Sequence, residues 1–211
     1  VFSAGEPATG LWRAPLDGAS APILLHGLPA DHEVTGLVFT PDQQRVVYLA
    51  GPSGGPHELW SQSFDGVGSP QRLNAPLAPG GSVEEFELTR DGELLLYRAD
   101  QDADEAFELF LASARDPDTS VKLVAAAPER DVTRFALLPD GRGVAFLADL
   151  AVDDVVEAWL VPLTPGAPAR RLNEPLTVGG GVRELAVTSD ASHVVYRADA
   201  RLDGRAELWS V

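Results

Sequence analysis

Val83 to Thr89 reads Val-Glu-Glu-Phe-Glu-Leu-Thr, with apolar and acidic residues alternating. A period of two predicts a half-buried strand, because successive side chains point to opposite faces of a sheet. Arg90-Asp91-Gly92 follows as a tight turn, with glycine where a positive φ is needed. Leu94 to Ala99 is an apolar second strand, and Asp100 to Glu105 an acidic loop. Phe107 to Ala112 predicts a third strand and Val121 to Val124 a short fourth, before a Pro-containing connection.

The same order of elements is predicted twice more. One copy uses Thr35 to Thr40, Arg45 to Ala50, Glu58 to Phe64 and Gln71 to Asn74. The other uses Val132 to Leu138, Gly143 to Ala148, Ala158 to Leu163 and Ala169 to Asn173. At the start, Val1-Phe2 aligns with the end of a second strand, Leu11 to Leu16 with a third and Pro22 to Leu25 with a fourth. Val182 to Val211 supplies strands one to three. No segment carries a 3.6-residue apolar stripe between caps. Leu150 to Trp159 comes nearest, but the other copies place a loop and a strand there.

Three markers hold this unit in one phase of about 49 residues. An aromatic recurs at Trp12, Trp60, Phe110, Trp159 and Trp209, and a second at Tyr48, Tyr97, Phe146 and Tyr196. A turn aspartate recurs at Asp42, Asp91, Asp140 and Asp190. Four-stranded units of about 40–50 residues are the blades of a β-propeller. The expected fold is therefore all-β, a propeller array of four-stranded antiparallel blades. It has a partial blade over 1–27, full blades over 28–76, 77–126 and 127–175, and a partial blade over 176–211. The array reads as a whole unit or as a segment of a larger propeller. The Trp series is expected to pack between neighbouring sheets, with ligand stacking as the alternative. Alternate units are the more alike: Asn74-Ala-Pro-Leu-Ala-Pro-Gly-Gly81 matches Asn173-Glu-Pro-Leu-Thr-Val-Gly-Gly180, and Tyr97-Arg-Ala-Asp100 matches Tyr196-Arg-Ala-Asp199. Duplication of a two-unit block explains this.

Phe39-Thr-Pro-Asp42 before Val46-Val-Tyr48, and Leu137-Leu-Pro-Asp-Gly141 before Val144-Ala-Phe146, resemble the Pro-Asp-Gly signature of TolB-like (WD40-like) propeller repeats. Arg90 and Ser189 depart from it at the proline, and Ala191 at the glycine. The resemblance implies bacterial, often periplasmic or exported proteins whose propellers are mostly binding platforms. Similar repeats also form the non-catalytic propeller of prolyl-oligopeptidase-like enzymes.

Charge narrows the partner. The formal net charge is −16, which repels nucleic acid and anionic lipid and favours cations or basic partners, besides keeping a protein soluble. Cysteine is absent, so thiol chemistry and disulfides are excluded. No apolar run of about 18 residues predicts a membrane span. Lys122 is the only lysine, and with much Ala, Gly and Pro this points to a GC-rich bacterial genome. No signal peptide is recognised, and Val1 opening in a strand reads as a mature, trimmed or excised piece.

The loops between second and third strands carry the candidate chemistry. They hold Asp100, Asp102, Asp104 and Glu105; Asp149, Asp153 and Asp154; Asp199 and Asp203. Asp-x-Asp-x-Asp can offer oxygens to Ca²⁺, which makes Asp100, Asp102 and Asp104 the candidate metal ligands. The alternatives are an aspartate that caps a tight loop and plain solvated charge. The glycine and distal glutamate of an EF-hand are out of register. The first full unit has Gly51-Pro-Ser-Gly-Gly55 here. That run matches Gly-x-Ser-x-Gly, but a nucleophile elbow needs a following helix and a His partner, and neither is predicted. His26, Asp31, His32 and Glu33 admit zinc only without constrained spacing, so solvated loop residues are the expectation. Gly179 to Gly181 precedes no helix and predicts no phosphate site.

Propeller geometry puts these loops on one face, with the His-containing loop and both Asn-x-Pro-Leu loops. The expected interaction face is therefore Asp149, Asp153, Asp154, Asp199, Asp203 and His32. The expected function is a non-catalytic platform for a protein partner, without a cofactor unless Ca²⁺ binds. The alternatives are the propeller of a larger hydrolase and a calcium-stabilised surface module. Incomplete terminal blades also predict a homo-oligomer, through Val1 to Leu25 or Val182 to Val211.

Overall fold

A computed structural model describes residues 9–18, 20–125 and 130–211. The expected strand end at Val1-Phe2 lies outside these residues, as does the boundary between the blades predicted over 77–126 and 127–175. Among the described residues every regular element is a strand, and no helix is long and apolar enough to cross a membrane.

The described residues form seventeen strands in five antiparallel sheets, each a meander in chain order. The first sheet pairs β1 (Gly10–Arg13) with β2 (Ile23–Gly27). The second holds β3 (His32–Phe39), β4 (Arg45–Pro52), β5 (Glu58–Ser63) and β6 (Gln71–Arg72). The third holds β7 (Val83–Leu88), β8 (Leu94–Ala99), β9 (Glu108–Ser113) and β10 (Val121–Val124). The fourth holds β11 (Val132–Leu137), β12 (Gly143–Ala148), β13 (Glu157–Pro162) and β14 (Arg170–Arg171). The fifth holds β15 (Val182–Val187), β16 (Val194–Ala198) and β17 (Glu207–Ser210).

Neighbouring sheets pack face to face, and the second strands lie deepest. On β4, Val46, Tyr48 and Ala50 face Leu11 and Leu25 of the first sheet. Val47 and Leu49 face Leu95, Tyr97 and Phe110 of the third. Both faces of such a strand are dry, so its sequence is an apolar run, while the first strands alternate. The alternation slips at Val83-Glu84-Glu85 because β7 bulges there, and β11 and β15 bulge at the matching place.

The two aromatic series differ in depth. Tyr48, Tyr97, Phe146 and Tyr196 are all buried. Of the Trp series only Phe110 is fully buried; Trp60, Trp159 and Trp209 are partly covered, and Trp12 is 45% exposed. Cover of the third strand differs between sheets: β9 is buried almost throughout, whereas β17, an edge strand, is partly exposed along its length.

The fourth strands are shorter than expected in the second and fourth sheets. There the Asn74 side chain accepts the Leu59 amide at 2.8 Å, and Asn173 accepts that of Ala158 at 2.7 Å. A side-chain amide thus replaces the next rung of the ladder. The third sheet has Val124 at this place, and β10 runs on to it.

Candidate functional site

The first aspartate of each acidic loop is a clamp. Asp100 accepts the Ser82 amide at 2.5 Å and the Glu105 amide at 3.0 Å. Asp149 does the same for Asp131 at 2.7 Å and Asp154 at 3.1 Å. Asp199 accepts Gly181 at 2.6 Å, Gly204 at 3.2 Å and the Arg183 guanidinium at 3.0 Å. All three side chains are buried. Each fastens the loop to the start of its own first strand and satisfies amides that no ladder reaches. The Gly181 amide, then Arg183, hold the Asp199 carboxyl down at about 2.

The remaining loop acids point outward. Asp102, Asp104, Asp153, Asp154 and Asp203 are exposed, and Asp102 pairs with Lys122 at 2.8 Å. The Asp104 carboxylate lies against Gly80: a Cβ there would sit 2.7 Å from it, and the φ of +93° also favours glycine. Asp203 lies against Gly179 in the same way. Each Asn-x-Pro-Leu loop therefore seats on the following acidic loop, with Ala78 N donating to Gln101 O at 2.7 Å and Thr177 N to Ala200 O at 2.9 Å. Among the described residues no three His, Asp or Glu side chains converge as a metal centre. Asp100, Asp102 and Asp104 have separate partners, so the spacing that suggested calcium does not bring their oxygens together.

The second sheet breaks the clamp. Gly51 occupies the place of Asp100, Asp149 and Asp199. The β3–β4 ladder extends instead, pairing Glu33 with Gly51 and His32 with Pro52, and Ser53 N donates to Asp31 O at 2.8 Å. The chain returns so close that a Cβ on Gly51 would lie 2.1 Å from the Pro56 carbonyl oxygen. Ser53 is exposed in this turn, and the following element is a strand, so the elbow context is absent.

A cleft of about 410 Å³ opens beside this glycine-rich loop. His26, Pro29, Pro52, Glu58, Trp60 and Leu77 are among its walls, with Gly80 and Gly81 on the far side. It is lined by residues of both the His-containing loop and the first Asn-x-Pro-Leu loop. His32 is at its edge, 2.9 Å from Asp31. His26 turns inward: Nδ1 is 2.7 Å from the Tyr48 hydroxyl, and the ring lies 5.0 Å from that of Trp60. Burial lowers the His26 pKa, so the imidazole is neutral near pH 7, and burial raises that of Tyr48. Glu58 pairs with Arg72 at 2.8 Å. His57 Nε2 is buried without a hydrogen bond, and Glu33 lies 3.9 Å from it. Sequence reasoning missed Glu58, Trp60 and the two glycines as cleft walls. The available signal was Gly51 itself, which stands where Asp100, Asp149 and Asp199 recur in the later copies.

No family model matches the sequence, and no curated protein matches it. Solved structures do resemble the fold. A putative TolB from Agrobacterium tumefaciens has a TM-score of 0.56 at 15% identity, over 90% of this chain and 61% of that one. A puromycin-hydrolyzing peptidase of Mycobacterium tuberculosis scores 0.63 at 14% identity, over 92% of this chain and 32% of that one. A structure from a study of two prolyl endopeptidases scores 0.60 at 14% identity, over 91% and 28%. The chain thus spans less than two thirds of each of these proteins. The sheets, their meander order and these likenesses agree: the chain has the fold of a TolB-like β-propeller.

Proposed function

We propose that this propeller is a non-catalytic platform that binds a protein partner on the face carrying the acidic loops, in an exported or periplasmic bacterial protein. The observation that carries the reading is the clamp. Asp100, Asp149 and Asp199 are buried and fasten their loops, while Asp102, Asp104, Asp153, Asp154 and Asp203 stand exposed above them. A rigid scaffold that displays loops is suited to recognition. With a net charge of −16, the fitting partner surface is basic. A second reading, the propeller of a larger hydrolase, is favoured by the likeness to the two peptidase structures.

Photo-crosslinking tests both. The crosslinking amino acid p-benzoylphenylalanine is placed at Asp153 or Asp203 on the loop face, and at Gln44 or Arg142 by the turns at the opposite strand ends. The platform reading expects a discrete adduct with a separate protein from the loop face alone. A crosslink to another segment of the same polypeptide favours the hydrolase. Adducts from both faces alike, or from neither, reject the platform.

A further inference from the structure

We propose that the cleft beside Trp60 receives an arginine side chain of the partner, its guanidinium set against the indole and within reach of Glu58. This rests on the reading of the loop face as the binding face, and it names what one part of that face recognises.

The chain itself shows what fits such a place. Trp209 is the repeat equivalent of Trp60, and Glu207 that of Glu58. In the fifth sheet the Arg201 guanidinium lies 4.7 Å from the centroid of the Trp209 ring. Arg201 is the second residue after Asp199, as Ser53 is the second after Gly51. In the third sheet the aromatic is Phe110 and the acid Glu108. Lys122 Nζ lies 5.8 Å from that ring and 2.6 Å from that carboxylate. The fifth sheet brings its cation from the loop, whereas the third brings Lys122 from its fourth strand, where the second sheet has Arg72 on Glu58. In the second sheet the loop offers Ser53 between Pro52 and Gly54, with no cation of its own, beside the open cleft.

The electrostatics agree. Glu58 lines the cleft, Asp104 lies against its Gly80 wall, and Asp31 and Glu33 flank His32 at its edge. Arg72 engages Glu58 Oε1. His26 contributes no opposing charge while neutral. A planar guanidinium can stack on an indole and still pair with a carboxylate in its plane, which an ammonium does less well. Pro29, Pro52 and Leu77 suit the aliphatic stem.

The test is a titration of the ¹⁵N-labelled chain with acetyl-Gly-Arg-Gly-amide, followed by NMR. Saturable shifts are expected at the Trp60 indole N–H and the Gly80 and Gly81 amides. The citrulline peptide, which keeps the shape without the charge, should bind about tenfold more weakly, as should the arginine peptide to Glu58→Gln. Ser53→Arg leaves the fold alone, because Ser53 is exposed, and should block the cleft from within. It shifts the same indole signal and weakens the peptide at least about fivefold. Equal binding of arginine and citrulline, no saturable shift at Trp60 up to about 10 mM peptide, or shifts spread evenly over the acidic loops overturn the proposal. If these fail while Asp153 and Asp203 still crosslink a partner, the cleft assignment falls and the platform stands. If both fail, both fall.

Discussion

The Asp100 carboxylate accepts the amide hydrogen of Ser82, 18 residues upstream, at 2.5 Å, and so fixes the acidic loop to the first strand of its own sheet. The same contact recurs from Asp149 to Asp131 and from Asp199 to Gly181. Truncating a clamp leaves two amides, bonded in part-buried positions, without acceptors. Asp100→Ala and Asp149→Ala are each expected to lose about 2–4 kcal/mol, since bonds to charged groups and orphaned donors are both costly. Urea unfolding measures this, with exposed Asp153→Ala as the control. A loss no larger than the control's would show that the clamp contributes little.

Asp199 gives the clamp a pH signature. Its folded pKa of about 2 lies below the ordinary carboxylate value of about 3.9. The folded state therefore binds its proton less readily than the unfolded chain. The stabilisation is complete above about pH 4 and is lost as pH falls toward 2. The stability gap between the native chain and Asp199→Asn should be constant from pH 7 to pH 5 and narrow below pH 4. A gap that widens in acid contradicts the mechanism.

The turns between first and second strands hold an untapped gain. Gly92 and Gly141 sit there at φ +72°, but the matching residues Gln43 and Ala191 take φ 56° and 55° with a side chain attached. A left-handed conformation costs an L-residue about 1–2 kcal/mol, partly offset by the greater freedom of glycine when unfolded. Ala191→Gly is expected to stabilise by about 0.5–1 kcal/mol, read as a rise in melting temperature. A fall would mean that the surrounding hydrogen bonds, from Thr188 and Ser192 to Asp190, already hold the turn.

Gly51 allows no side chain. A Cβ 2.1 Å from the Pro56 oxygen must push the glycine-rich loop away. Gly51→Ala should cost more than about 2 kcal/mol, by the strain mechanism of severe mutations, and should move the Trp60 indole resonance. An unchanged indole signal with native stability would show that the loop yields freely.

Calcium offers a direct check on the acidic loops. Both Asp100 oxygens hold amides, and Asp102 holds Lys122. The expected melting temperature is the same in millimolar Ca²⁺ and in chelator. An ion that bound only the folded state would raise it with concentration, and such a rise would restore Asp100, Asp102 and Asp104 as ligands.

The architecture was legible in the sequence because it is periodic. Stacked sheets bury the same positions in every copy, so Tyr48, Tyr97, Phe146 and Tyr196 had to stay apolar and in phase. The turn aspartates and second strands are local features, and their positions were read correctly to within a residue or two. The loops were legible only as acidic. Whether Asp100 offers oxygen to a metal, to solvent or to the backbone depends on Ser82, a partner that only sheet pairing brings near. The Trp series looked uniformly buried, yet its cover depends on what lies across the rim of each sheet. The cleft belongs wholly to tertiary structure. Gly51, His26, Trp60 and Gly80 come from four separate segments, and no spacing along the chain encodes their meeting. Period and alternation fix what each copy shares; the space left where one copy departs is set by how its neighbours pack around the missing side chain.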